Sequence, residues 1–167
     1  MTIPHVALVH SPIDVAQLQQ HVSDDGVGAI ALFLGTVRNV NDARAVTGID
    51  YEAYDAMAIR ELELIATEIV AKTPELRLAI EHRLGTLVVG EISVAIAAGH
   101  ARRTVALDAS RDVIEAIKKR VPIWKRERYV EGDWSWVDPT KSSANEGQID
   151  TDALTSATNP LIVLAPV

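Results

Sequence analysis

The spacing of apolar residues switches repeatedly between a strand pattern and a helix pattern along most of this chain. His5 to Val9 reads as a short strand. Ser11-Pro12 marks a helix start, with serine as the N-cap and proline at the first helical position, and the helix runs to about His21. Ser23-Asp24-Asp25-Gly26 is a turn. The continuous apolar run from Gly28 to Val37 predicts a strand buried on both faces. Arg38 to Ala45 is polar and reads as a mobile loop, and Val46 to about Ala53 is a further strand.

From Met57 to Lys72 the period becomes helical. Ile59, Leu62, Ile65, Ala66 and Ile69 form one apolar stripe, and Pro74 ends it. Leu78 to Leu84 alternates as a half-buried strand does. Gly85 to Gly90 makes a connection, and Ile92 to Ala98 is another strand. A helix over roughly Thr104 to Arg120 turns Ala106, Ala109, Val113, Ile114 and Ile117 inward, and Pro122 disfavours helical geometry at Val121. Lys125–Tyr129 and Trp134–Val137 read as two short strands around Glu131-Gly132-Asp133. The pattern predicts a single mixed α/β (α+β) domain over residues 1–140. Lys141 to Asn159 is rich in Ser, Thr, Ala, Asn, Asp and Gly without a period, and Pro160 to Val167 is apolar again; residues 141–167 read as a flexible C-terminal tail.

Composition narrows the class. Of 167 residues, 48% are hydrophobic and only 4% aromatic, so the core must be aliphatic. No apolar run approaches the ~18 residues of a membrane span. The N-terminus lacks the basic-then-apolar signal pattern, so a cytoplasmic location is expected. With no cysteine, thiolate metal sites and a thiol nucleophile are excluded, and the five histidines show no metal-binding spacing; no metal site is expected.

Net charge is −7, which argues against general nucleic-acid binding. Its distribution is uneven. Between Arg102 and Arg128 lie nine of the 16 basic residues, against Asp108, Asp112, Glu115 and Glu127. Such clustering fits a small anionic ligand or an acidic partner, with a solvated helix face as the plainer alternative.

Within that stretch, Lys118, Lys119 and Arg120 fall in the last turn of a helix, where the macrodipole favours cations in any case. Lys125 follows a proline-forced bend that can fold it back towards Lys118. Paired ammonium groups shielded from water lower each other's pKa, which suits a nucleophile or an acid/base group. Arg38 follows the Gly28–Val37 strand at its end, and Arg102-Arg103 stand where a helix N-terminus favours anions. Trp124, Trp134 and Trp136 concentrate the large aromatic surface nearby; Trp124 is expected in the core.

Several blocks together resemble the large, catalytic subunit family of molybdopterin synthase. They are Gly35-Thr36-Val37-Arg38-Asn39, Glu52-Ala53-Tyr54-Asp55-Ala56-Met57, His82-Arg83-Leu84-Gly85, and above all Lys118-Lys119-Arg120-Val121-Pro122-Ile123-Trp124-Lys125-Arg126-Glu127 with Glu131-Gly132-Asp133. The resemblance runs from about Ser11 to Asp138. It implies a hammerhead-type mixed sheet with three main helices, and a homodimer flanked by two copies of a small ubiquitin-like sulfur-carrier subunit. That partner's C-terminal Gly-Gly thiocarboxylate would thread into the active site. Two sulfur transfers would then convert cyclic pyranopterin monophosphate into the dithiolene of molybdopterin. No cofactor is implied, because the sulfur arrives on the partner.

By position, the resemblance implies catalytic roles for Lys118 and Lys125. It implies substrate contacts for Arg38, Arg102, Arg103 and Lys119, with Phe33 and Trp124 in the pocket wall or its support. Lys118 would carry proton transfers or transient covalent capture, while Lys125 and the arginines hold the phosphate and the tail carbonyl. Three departures stand out. Arg102-Arg103 replaces the family's His-Arg, with His100 two residues earlier. Thr36 stands where the family has lysine, and no arginine near Thr140 matches the one supplied across the dimer. Two other classes were weighed. A docking module without turnover would not need both Lys118 and Lys125, and a nucleotide- or phosphosugar-binding enzyme would need a glycine-rich phosphate loop that this chain lacks.

Overall fold

In a computed structural model, residues 3–137 are described; the expected tail over 141–167 lies outside them. In chain order the elements are β1 (His5–Val9), α1 (Val15–Gln20), β2 (Ala29–Thr36), β3 (Val40–Asn41), β4 (Arg44–Ala53), α2 (Asp55–Lys72), β5 (Arg77–Arg83), β6 (Gly85–Val88), β7 (Ile92–His100), α3 (Arg103–Arg120), β8 (Ile123–Tyr129) and β9 (Trp134–Val137). They form two sheets. One has the order β1-β5-β7-β2, with β1 parallel to β5 and the other pairs antiparallel. The second runs β3-β4-β8-β9, with β6 also paired to β4.

The helical stripes decide how the layers close. Ala58, Leu62, Ile65, Ala66 and Val70 of α2 and Ala109, Val113 and Ile117 of α3 pack onto Leu78, Ile80, Ile96 and Ala98. Each large aliphatic side chain removed from water here contributes about 1.5–3 kcal/mol. On the opposite face of the same sheet, Ala79, Ala95 and Ala97 are small enough for α1 to lay Leu18 against them, with Ile13 and Val22 at its ends. A third cluster of Val37, Val46, Ile49, Leu87 and Tyr129 belongs to the second sheet. There β6 approaches β4 so closely that a Cβ at Gly48 would stand 2.6 Å from the Leu87 carbonyl oxygen.

Several expectations are corrected. The first helix is capped by Asp14, whose carboxylate accepts from the Gln17 N–H at 3.0 Å, so Ser11 and Pro12 lie before it. β2 is an edge strand with one open face, on which Leu32 and Leu34 are about two-fifths exposed. β5 is buried on both faces, because α1 covers the side on which Ala79 lies. Gly85–Val88 is a ladder strand, satisfied by hydrogen bonds to β4. The Arg38–Ala45 segment is a hairpin. Asp42 and Ala43 take positive φ (46° and 63°) in a two-residue turn, and Val46 N–H donates to the Asn39 carbonyl at 2.8 Å. Hairpin turns of this kind favour Asn-Gly or Asp-Gly; Asp-Ala carries no such signature.

Candidate active site

Topology brings three of the expected residues to one end of the molecule. β2 runs antiparallel to β7, so Thr36 at its end faces Ile92 at the start of β7. α3 leaves the other end of β7 and packs back across β7 and β2. Its 18 residues span about 27 Å, close to the ~30 Å of the nine-residue β7. The last turn of α3, with Lys118, Lys119 and Arg120, therefore arrives beside the end of β2 and Arg38. Val121 is extended (φ −80°, ψ 123°), and β8 begins two residues later. Lys118 and Lys125 thus stand on either side of a single bend, as the proline predicts.

Strand alternation then sorts the β8 residues. Lys125, Glu127 and Tyr129 share one face, and Trp124, Arg126 and Arg128 the other. Glu127 is only 2% exposed and takes three partners. Asn41 Nδ2 donates to it at 2.9 Å, the Tyr129 hydroxyl donates at 2.9 Å, and Lys125 Nζ lies 3.4 Å away. Asn41 in turn accepts from Arg38 Nη2 at 3.3 Å. Arg38 and Lys125, distant in sequence, are therefore joined through Asn41 and a buried carboxylate. Lys118 is exposed at the helix end, and Arg38 is exposed beyond β2.

The neighbouring cations hold the fold. Arg120 binds Glu68 through both terminal nitrogens (2.7 and 3.0 Å) and Glu61 through Nε (2.7 Å), tying α3 to α2. Lys119 is well exposed and 3.9 Å from Glu115 on its own helix. On the opposite face of β8, Arg126 and Arg128 close on Asp50, which is 4% exposed and also accepts from Thr86 at 2.7 Å. Burial opposes ionisation of Asp50, but Thr86, Arg128 and Arg126 outweigh it and hold its carboxyl below the usual range. A cavity of about 400 Å³ opens beside these arginines against Trp134.

Trp124 is not in the core: it is 45% exposed, and Trp134 and Trp136 are exposed on the same sheet face. It pairs with Glu52 in register, on the side of the second sheet away from the Ile49–Leu87–Tyr129 cluster. Phe33 is half-buried against the main core. Arg102 and Arg103 do not join Lys118 within one chain. Arg103 opens α3 and Lys118 closes it, so they are about 22 Å apart along the axis at 1.5 Å per residue. His100 is 5% exposed; Arg102 N–H donates to its Nδ1 at 2.9 Å, and its Nε2 lies 3.3 Å from the Pro74 carbonyl. Those contacts make it a structural link at the entry to α3. His82 is also internal, edge-on to Tyr51 at 5.4 Å, and burial lowers its pKa to about 4.

Asn41, Glu127 and Asp50 are the residues that the sequence pattern alone does not single out. For Glu127 a signal exists: it alternates with Lys125 and Tyr129 along a strand. Asn41 has none, because its partner lies 86 positions away. Among the described residues, no group of three His, Asp or Glu side chains is placed to hold a metal ion, and no helix is long and apolar enough to cross a membrane.

In this mixed α/β domain Arg38 and Lys125 are joined through Asn41 and buried Glu127, and Lys118 stands across one bend from Lys125. The chain belongs to the MoaE protein family, whose model matches residues 8–120. The molybdopterin synthase catalytic subunit of Drosophila erecta is 45% identical over 130 residues, covering 77% of this chain. The chain spans about a third of that relative's length (35%). The molybdopterin synthase catalytic subunit 2 of Aedes aegypti is 35% identical, covering 90% of this chain and 99% of that one. In structure, molybdopterin synthase from Staphylococcus aureus aligns with TM-score 0.75 at 35% identity, covering 78% of this chain and 95% of that one.

Proposed function

We propose that this chain is the catalytic subunit of a molybdopterin synthase. It moves sulfur from the C-terminal thiocarboxylate of a small ubiquitin-like subunit ending in Gly-Gly onto cyclic pyranopterin monophosphate, twice, to form the dithiolene of molybdopterin. The observation that carries this reading is the joining of Arg38 to Lys125 through Asn41 and Glu127, with Lys118 across one bend. Arg38 supplies a planar fork for phosphate oxygens. Lys125, held by Glu127, is a fixed donor to the phosphate or to the tail carbonyl. Lys118, at the helix end, performs the proton transfers or the transient capture of the pterin. The thiocarboxylate sulfur first bonds to a pterin carbon. Water then cleaves the acyl C–S bond of that linkage, so the sulfur stays on the pterin as a thiolate and the partner leaves with an ordinary carboxylate.

Two copies of the chain would form the core of the assembly. The separation along α3 supports this: Arg103 and Lys118 of one copy lie too far apart to share one small ligand. If Arg102 and Arg103 contact the substrate that Lys118 works on, a second copy supplies them. Mixed dimers of Lys118→Ala and Arg103→Ala chains should then recover part of the activity that each pure variant lacks, through the one intact composite site. No recovery above the pure variants would remove the arginines from that site.

The direct test of the reaction is isotopic. A partner thiocarboxylated with heavy sulfur, the pterin precursor and this chain should yield product carrying the label, with the partner returned as carboxylate by mass spectrometry. Label that stays on the partner would overturn the reading.

A further inference from the structure

Asn41 hydrogen-bonds to Arg38 on one side and to Glu127, the partner of Lys125, on the other. Its side-chain oxygen accepts from Arg38 Nη2 at 3.3 Å, and its nitrogen donates to Glu127 Oε2 at 2.9 Å. An amide offers an acceptor and donors at once over this span; a carboxylate cannot donate and an aliphatic side chain does neither. The amide's orientation follows from its neighbours. Reversed, its N–H groups would face the guanidinium and its oxygen the carboxylate.

The backbone at Asn41 is held as firmly as the side chain. Asn41 pairs with Arg44 across the positive-φ turn at Asp42 and Ala43. Arg44 stacks 3.5 Å above the Tyr129 ring and binds Asp133 at 2.7 Å and Glu131 at 3.4 Å. The hairpin tip is thereby fastened to the β8–β9 turn. Tyr129 closes the circuit, because its hydroxyl donates to Glu127 and lies 3.1 Å from Ser135 Oγ.

We propose that Asn41 is a positioning residue: through Glu127 it sets the Arg38 guanidinium relative to the Lys125 ammonium, so that the two meet one anion as a unit. The inference rests on the sulfurtransferase reading for the identity of that anion, a pterin phosphate. An exposed arginine on a short hairpin samples many rotamers, and holding it in one lessens the ordering that ligand binding would otherwise require. Both ends of the Asn41 amide are engaged by Arg38 and Glu127, so it acts through them. Its loss should therefore fall on binding of the pterin and leave the chemical step nearly intact.

The variants are Asn41→Leu, which keeps the branching and heavy-atom count and loses both hydrogen bonds, and Asn41→Ala as a smaller second choice. Either should raise KM for the pterin about tenfold with kcat within about twofold. Asn41→Gln, which restores an amide, should recover part of the loss. Arg38→Ala should cost less in the Asn41→Leu background than alone, because the two act as a pair. Wild-type KM in both folded Asn41 variants, or an Arg38→Ala effect of equal size in both backgrounds, would overturn the proposal. Inorganic phosphate binding, followed by NMR, separates this from the sulfurtransferase reading. A wild-type chain without turnover contradicts that reading alone, and the same non-additivity in phosphate affinity still decides for or against Asn41.

Discussion

The two faces of β8 carry side chains of nearly the same kind to different ends. On one face Arg126 and Arg128 are closed onto buried Asp50, and the three tryptophans stand exposed around them. On the other, Lys125 is held by buried Glu127, and through Asn41 is joined to Arg38 at the end of β2. In sequence the residues interleave one by one. In space, a period of two sets Arg126 and Arg128 on Asp50 and Lys125 on Glu127. The difference teaches that local positive charge is a poor guide to function until each cation's carboxylate partner is known. Arg120 makes the same point on α3: next to Lys118 and Lys119 in sequence, it is fully engaged by Glu61 and Glu68.

The largest effect that could break this contrast is on turnover. Lys125→Ala should lower kcat/KM by about 10²-fold or more, with only a small drop in the denaturant midpoint because Asn41 and Tyr129 still donate to Glu127. Near-normal turnover would place Lys125 with the structural cations. Acid should weaken the support behind the same face. Tyr51 faces Lys125 across the ladder, and His82 packs edge-on against it. Because burial lowers the folded-state pKa of His82 to about 4, the unfolded chain takes up that proton first. The stability contributed by neutral His82 is complete above about pH 6.5 and is lost as pH falls towards 4, by about 3 kcal/mol. Urea midpoints across that window check it, and the slope should flatten in His82→Phe.

Smaller effects sharpen the structural side. Asp50→Ala leaves two arginines without their shared carboxylate. Since these are a third to a half exposed, the loss should be about 2 kcal/mol rather than the full value for a buried pair, with turnover per folded molecule retained. Arg120→Ala should cost about 1 kcal/mol at most in a thermal melt and nothing in kcat. A large loss of activity with intact fold in either variant would blur the contrast between the faces.

Much of the scaffold was legible in the sequence because it is written in periodicity. The stripes of α2 and α3 and the strand at Ile92–Ala98 reflect local burial patterns, and the stop at Pro122 reflects sterics. Gly28–Val37 was legible as a strand though not as an edge strand with one open face. What was not legible depends on distant partners. Asp14 displaces Ser11 as a cap because its carboxylate reaches the Gln17 N–H. The Asn41–Arg44 hairpin carries no glycine to announce it. Trp124 looks like core by its size, yet its strand face has no helix over it among the described residues. Lys118, Lys125 and Arg38 were found by resemblance and by their places at element ends. The joining of two of them through Glu127 and Asn41 became visible only with β3 and β8 both paired to β4. Arg102 and Arg103 were grouped with Lys118 by charge, and the length of α3 separates them within one chain.

The central claim is that the end of the molecule where Arg38, Lys118 and Lys125 meet performs sulfur transfer. Its most direct test is molybdopterin formation from the pterin precursor and a thiocarboxylated small subunit, with wild type and Lys118→Ala measured side by side. The account predicts product from wild type and its loss in the variant, at equal affinity for the partner. Wild type that binds the partner tightly and makes no product, or a Lys118→Ala chain that makes it at the wild-type rate, would contradict it.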